Sequence, residues 1–232
     1  MAQGGTLSIR SFPDADTLSA ELADQVAEGL KSSIAARGRA TLAVSGGTTP
    51  IRFFECLSVF ELDWSRVTVT LADERFVPPS SKRSNEKLVR DNLLVGQAAA
   101  ASFVPLYSQT ADVEDAARAA AVAIAALGLP LDILVLGMGT DGHTASLFPD
   151  ANETDVLLTA TPGPAVLPVH APSAGEPRLT LSLDTLSNAR AIYLHIEGTE
   201  KRAVLERADN ENLPVAAVLE AARTPVVTYW AP

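Results

Sequence analysis

Three apolar runs, Ala40–Ser45, Val67–Leu71 and Leu131–Leu136, each end directly in a segment of glycine, hydroxyl or charged residues. A strand that is apolar on both faces belongs inside a sheet covered by helices, and parallel strands require helical crossovers. The chain supplies them. Leu7–Phe12 reads as a first strand. Asp14 or Asp16 then caps an amphipathic helix through Ile34, with Leu18, Leu22, Val26 and Leu30 at i+4 spacing. Pro50 suits the first turn of a helix to about Leu57, Ser84 or Asn85 opens another through Leu94, and Asp112–Leu127 has helical apolar spacing. Further strands are expected at Phe103–Leu106, Val166–His170, Arg178–Leu181, Ala191–Ile196 and Val226–Tyr229, with helices at Asp184–Asn188, Thr199–Arg207 and Val215–Ala222. This alternation predicts an α/β fold with a largely parallel sheet. Two stretches rich in Pro and Gly, Thr161–Pro164 and Ala171–Pro177, read as surface loops because apolar strands resume after each. One domain spanning residues 1–232 is therefore expected.

Charge and cysteine usage narrow the possible partners. The 232 residues carry 18 Lys+Arg against 28 Asp+Glu, a formal charge of −10. Nucleic-acid binding needs clustered cations that release counterions from phosphates, so no nucleic-acid partner is expected. A hydrophobic content of 47% can supply a sizeable core, and 5% aromatic residues suit Ala/Leu/Val-rich helices packed on a sheet. The single Cys56 cannot form an internal disulfide, and no Cys/His spacing matches a structural zinc site. Met1–Thr6 has no basic segment leading into an apolar one, and charges or prolines break every apolar stretch before spanning length. A cytoplasmic protein with no membrane partner is expected, of a size compatible with a monomer.

In an open parallel sheet, ligands bind beyond the carboxyl ends of the strands, where unpaired N–H groups and helix dipoles converge. Ser45-Gly46-Gly47-Thr48-Thr49-Pro50 occupies such an end. It can hold a phosphate with backbone donors, or it can be a tight turn in which Gly relieves strain and Thr caps the helix. Gly137-Met138-Gly139-Thr140-Asp141-Gly142-His143 matches G-x-G-x-x-G after a strand. A dinucleotide site is not expected there, because Pro149 interrupts the chain within two turns of the third glycine. Asp141 and His143, one glycine apart, can act as a base and its orienting carboxylate; equally, Asp141 can cap a short helix. Asp73-Glu74-Arg75 follows a buried strand and by itself reads as a charged turn on a solvated rim, while Ser84 and Asn85 can cap a helix or bond a sugar hydroxyl. His170 and His195 lie in apolar strand patterns and read as structural.

Taken together, SGGTTP, DERFVP, Ser84-Asn85, GMGTDGHTASLFP, Arg178-Leu179-Thr180-Leu181 and Lys201 resemble the 6-phosphogluconolactonase family in order and spacing. The resemblance covers nearly the whole chain. It implies the fold shared with glucosamine-6-phosphate isomerases, a modified doubly wound, largely parallel sheet flanked by helices. It also implies hydrolysis of 6-phospho-D-glucono-1,5-lactone in the oxidative pentose phosphate pathway, with no metal or organic cofactor. His143 is then the general base and Asp141 its partner. Ser45, Gly46, Gly47, Thr48, Arg75 and Lys201 are the implied phosphate and substrate contacts, joined by Arg178 and by Asp73. The rival is an isomerase/deaminase on the same fold, which would carry a further acid after Asp-Gly-His. Here Ser146-Leu147-Phe148-Pro149 offers none before Asp150. A serine nucleophile at Ser146 is not expected, since no G-x-S-x-G elbow surrounds it.

Overall fold

A computed structural model describes residues 8–232. Met1–Thr6, and Leu7 of the expected first strand, lie outside the described residues. The strands are β1 (Ser8–Ser11), β2 (Ala40–Val44), β3 (Val67–Leu71), β4 (Asp73–Arg75), β5 (Ser102–Phe103), β6 (Ile133–Leu136), β7 (Val166–Val169), β8 (Arg178–Leu181), β9 (Ala191–Glu197) and β10 (Val226–Ala231). The helices are α1 (Ala15–Arg37), α2 (Ile51–Ser58), α3 (Asn85–Asn92), α4 (Val113–Ala126), α5 (Thr154–Leu157), α6 (Leu183–Ser187), α7 (Thr199–Arg207) and α8 (Pro214–Ala221). Seven strands form a parallel sheet in the order β1-β10-β9-β6-β2-β3-β5, and β4-β8-β7 form a second, antiparallel sheet. The largely parallel sheet flanked by helices is the architecture that the strand–helix alternation predicts.

Local chemistry sets the boundaries of the elements. Asp14 caps α1 by accepting the Thr17 N–H at 2.7 Å. Gly38, at φ 75°, ends that helix and returns its N–H to the Ile34 carbonyl. Leu18, Leu22, Val26 and Leu30 are fully buried against the sheet, each side chain worth about 1.5–3 kcal/mol of burial. The central strands β2 and β6 are buried at every position. Glycine and hydroxyl residues follow directly where these strands end, at Ser45 and Gly137, so the loops after them meet on one rim.

Two expectations change. Phe103–Leu106 contracts to the two paired residues Ser102 and Phe103, whose register with Thr68 and Val69 ends there. Asp73–Arg75 is not a solvated turn but strand β4, paired antiparallel with β8. The Leu181 N–H donates to the Ala72 carbonyl at 2.9 Å and joins the two sheets at this point. Glu74 is fully buried there, which is tolerable because its carboxylate accepts from Arg75 N, Ser84 Oγ, Asn85 N and Glu86 N at 2.7–3.0 Å. Burial pushes its pKa up, and those donors pull it back. Glu74 thus ties β4 to the start of α3, which Ser84 caps through the Lys87 N–H. The G-x-G-x-x-G run is followed by no long helix; the next is the four-residue α5. Among the described residues, no helix is long and apolar enough to cross a membrane.

Candidate active site

A cleft open to solvent lies where β2, β6 and β9 end. Its floor is the loop after β2. Ser45, Gly46, Gly47 and Thr48 all line it. Ser45 Oγ is buried without a hydrogen-bond partner among the described residues, and no side chain caps α2 behind the loop. The hydroxyls of this loop are therefore not spent on ending the turn, as a purely structural reading would require. Gly46 is obligatory for a different reason: a Cβ there would overlap the carboxamide of Asn85. That carboxamide donates to the Asp73 carbonyl at 2.9 Å and to Asp73 Oδ1 at 3.3 Å. The glycine loop, β4 and α3 are locked together through Asn85.

The loop after β6 carries the reactive pair. His143 Nδ1 and Asp141 Oδ1 are 2.6 Å apart. Hydrogen bonding from His143 holds the Asp141 carboxyl below the ordinary range, against a smaller opposing effect of burial. The loop is braced from within: the Gly139 N–H donates to the His143 carbonyl at 2.9 Å, and Thr144 Oγ1 to the Gly137 carbonyl at 2.7 Å. A side chain at Gly139 would overlap the His143 ring. Ala145, which lines the cleft, sits at φ 48°, a left-handed conformation that an L residue adopts only when its surroundings enforce it. The His143 ring stacks on Phe148 at 4.5 Å between centroids. With Nδ1 held by Asp141 and one face covered by Phe148, Nε2 is the ring nitrogen left for a ligand in the cleft.

Three cations reach the same cleft from different elements: Arg75 on β4, Arg178 on β8 and Lys201 on α7. Arg178 is 8% exposed, donates to the Ala174 carbonyl at 3.0 Å and lies over the Phe148 ring at 5.4 Å. Burial lowers its pKa, countered chiefly by Asp73, whose Oδ2 is 4.0 Å away. Arg75 Nη1 donates to the Arg83 carbonyl. The Nε–H groups of Arg75 and Arg178 are buried with no acceptor among the described residues, so each is an unspent donor beside the cleft. Lys201 is likewise lowered by burial and raised again by Glu197. Asp73 lines the cleft and accepts from Ser146 Oγ at 2.6 Å. Ser146 is fully buried and committed to that bond, which removes it as a nucleophile.

The family model for glucosamine-6-phosphate isomerases/6-phosphogluconolactonase matches residues 13–230. A relative from Mesorhizobium japonicum named 6-phosphogluconolactonase is 52% identical over 99% of this chain and 97% of its own length. The chain belongs to the glucosamine-6-phosphate isomerase/6-phosphogluconolactonase family. A 6-phosphogluconolactonase of Rhizobium meliloti is 51% identical over 95% of this chain and 97% of its own. The crystal structure of a 6-phosphogluconolactonase from Shewanella baltica superposes with a TM-score of 0.93 at 38% identity, covering 97% of this chain and 98% of that one.

Every site residue named from the sequence is brought to this cleft: all but Asp141 line it, and Asp141 stands directly behind His143. Two contributors escaped the sequence reading. Phe148 reads as one apolar residue in an apolar run, yet it is the platform shared by His143 and Arg178. His195 reads as a strand residue and is one, but at the carboxyl end of β9 it also lines the cleft. The signal that could have found it is Lys201, six positions later on the helix that the strand feeds.

Proposed function

We propose that this chain hydrolyses 6-phospho-D-glucono-1,5-lactone to 6-phospho-D-gluconate in the oxidative pentose phosphate pathway, acting in the cytoplasm as a one-domain monomer. The observation that carries the reading is the 2.6 Å Asp141–His143 pair sharing a cleft with Arg75, Arg178 and Lys201. Relatives that are 52% and 51% identical along nearly their whole length bear the name of this activity. A substrate that joins an activated ester to a dianion matches a cleft that holds both a base and cations.

His143 Nε2 takes a proton from a water molecule as its oxygen attacks the lactone C1 carbonyl. Asp141 accepts the Nδ1–H, fixes the tautomer and stabilises the imidazolium. The tetrahedral oxyanion then collapses, the bond between C1 and the ring oxygen breaks, and the imidazolium returns its proton to that oxygen. The product is a carboxylic acid that ionises in water. General-base assistance of this kind is worth about 10²–10⁴-fold, enough for so reactive an ester without a covalent nucleophile. The backbone donors of residues 45–48, with Lys201 and Arg75, hold the phosphate. The unspent Nε–H of Arg178 is a further donor to the substrate, and Asp73 is an acceptor for a sugar hydroxyl. No cofactor enters the scheme.

An isomerase or deaminase on this fold needs a further acid at the ring. The first carboxylate after His143 is Asp150, which is taken up by the Ser173 N–H at 2.9 Å and Ser173 Oγ at 2.7 Å. A side-by-side assay of purified protein on 6-phosphogluconolactone and glucosamine-6-phosphate tests the reading. Turnover of the lactone alone is expected, and turnover of the amino sugar alone overturns it.

A further inference from the structure

His195 is 2% exposed between Leu194 and Ile196 on β9. Phe53 of α2 meets its ring edge-on at 6.4 Å, and Tyr229 of β10 stands beside it in register. An aliphatic residue would fill this place without burying a ring nitrogen. Instead Nδ1 is buried with no partner among the described residues, while Nε2 faces Glu197 Oε1 at 3.0 Å. Leaving a buried polar atom unmade is costly. The bond to Glu197 is what the histidine provides and an aliphatic residue cannot.

Glu197 ends β9, and after Gly198 the chain enters α7, which presents Lys201 to the cleft. We propose that His195 is a positioning residue for the phosphate end of the cleft: its ring holds the Glu197 carboxylate at the end of β9, and so fixes the turn from which α7 carries Lys201 into the cleft. The inference rests on Lys201 being a phosphate contact. The charged groups around this chain of contacts are Glu200 beside Lys201 on α7 and Arg52 on α2, itself paired with Asp16 at 2.8 Å. The bond from His195 is the largest influence lowering Glu197, followed, after an opposing effect of burial, by the charges of His195, Arg52 and Lys201. Burial drives Lys201 down, and Glu197 is the larger of the two charges restoring it. Without the imidazole, the partly exposed Glu197 side chain is free to turn to solvent, and Lys201 loses its proton at lower pH.

The test is a pH titration of Lys201 by NMR in substrate-free enzyme labelled at lysine Cε. The four lysines, Lys31, Lys82, Lys87 and Lys201, make assignment by Lys201→Arg direct. In His195→Leu, Lys201 is expected to titrate at lower pH than in the wild type. KM for the lactone is expected to rise about two- to fivefold, the scale of a partly exposed ion pair, and to climb from a lower pH, with kcat changed less than about twofold. His195→Gln keeps a donor facing Glu197 and is expected to restore both readouts. An unmoved Lys201 titration in His195→Leu overturns the proposal, as does a Gln variant that behaves like the Leu variant, since packing alone would then explain the residue. If His195→Leu does not fold, Glu197→Gln decides: the same downward shift supports the proposal and an unmoved resonance refutes it. The titration needs no substrate, so a wild type inactive on the lactone would overturn the functional reading and leave this one standing or falling by itself.

Discussion

Gly139→Ala is the sharpest probe of the catalytic pair, because it adds one methyl group and touches neither partner covalently. Gly139 is not in the left-handed region, so alanine is conformationally acceptable there. The new Cβ would overlap Cε1 and Nδ1 of His143 and would stand 2.5 Å from Asp141 Oδ1. Those atoms form the 2.6 Å contact that orients the ring. The ring must retreat by a large fraction of an ångström, and Phe148, stacked at 4.5 Å, restricts where it can go. Displacing a catalytic group by about 1 Å can cost about 10²-fold, and losing the base outright costs about 10²–10⁴-fold. Gly139→Ala should therefore lower kcat about 10²-fold, no further than His143→Ala, with a melting temperature close to that of the wild type because the loop is half-exposed. Proton release from freshly generated lactone, corrected for spontaneous hydrolysis, measures kcat. Gly163→Ala, in the loop before β7 and 3.8 Å from its nearest neighbour, is the control for a harmless methyl group. A folded Gly139→Ala enzyme with wild-type kcat would refute the geometry of the pair and, with it, the role of Asp141.

Glu74→Ala leaves three backbone N–H groups and the Ser84 hydroxyl without their buried acceptor. At about 1–3 kcal/mol for a buried unsatisfied group, with partial relief by water, a loss of roughly 3–5 kcal/mol follows. For a chain of this length that is a fall of about 10 °C in melting temperature, which calorimetry reads; a fall under about 2 °C would show that β4 and α3 are held by other means. Arg75→Ala and Lys201→Ala should each raise KM for the lactone about tenfold or more while kcat falls much less. Steady-state kinetics decide this, and an unchanged KM in both places the phosphate elsewhere.

The legible and the hidden parts of this molecule differ in the range of the interactions that specify them. Strands such as Val67–Leu71 and Arg178–Leu181 and the helix Thr199–Arg207 are readable because local sequence pattern fixes them. The Asp-Gly-His pair is readable for the same reason, both members lying on one short loop. Asp73–Arg75 reads as a solvated turn because charged residues signal solvent unless their partners are known. Glu74's partners are supplied by residues 84–86, and β4's strand partner is β8, about a hundred residues away. Phe148 and His195 are hidden for a related reason: an aromatic or imidazole ring in an apolar run shows no sign of which neighbour it touches.

A chain with a net charge of −10 that takes a phosphorylated substrate raises an apparent conflict of charge. The fold resolves it by distance and dielectric. Arg75, Arg178 and Lys201 arrive at one cleft from β4, β8 and α7, while much of the acid lies elsewhere in surface pairs such as Glu28–Lys31 and Asp115–Arg118. Exposed charges farther than about 10 Å are screened by salt, whereas half-buried ones at short range are not. The acids that do lie close are already engaged: Asp73 with Ser146 and Asn85, Glu197 with His195. Each sits beside a desolvated cation that needs it, Asp73 beside Arg178 and Glu197 near Lys201. Local acids here offset the cost of burying the cations and hold them in place, so removing one should weaken phosphate binding, the opposite of what net charge alone would suggest.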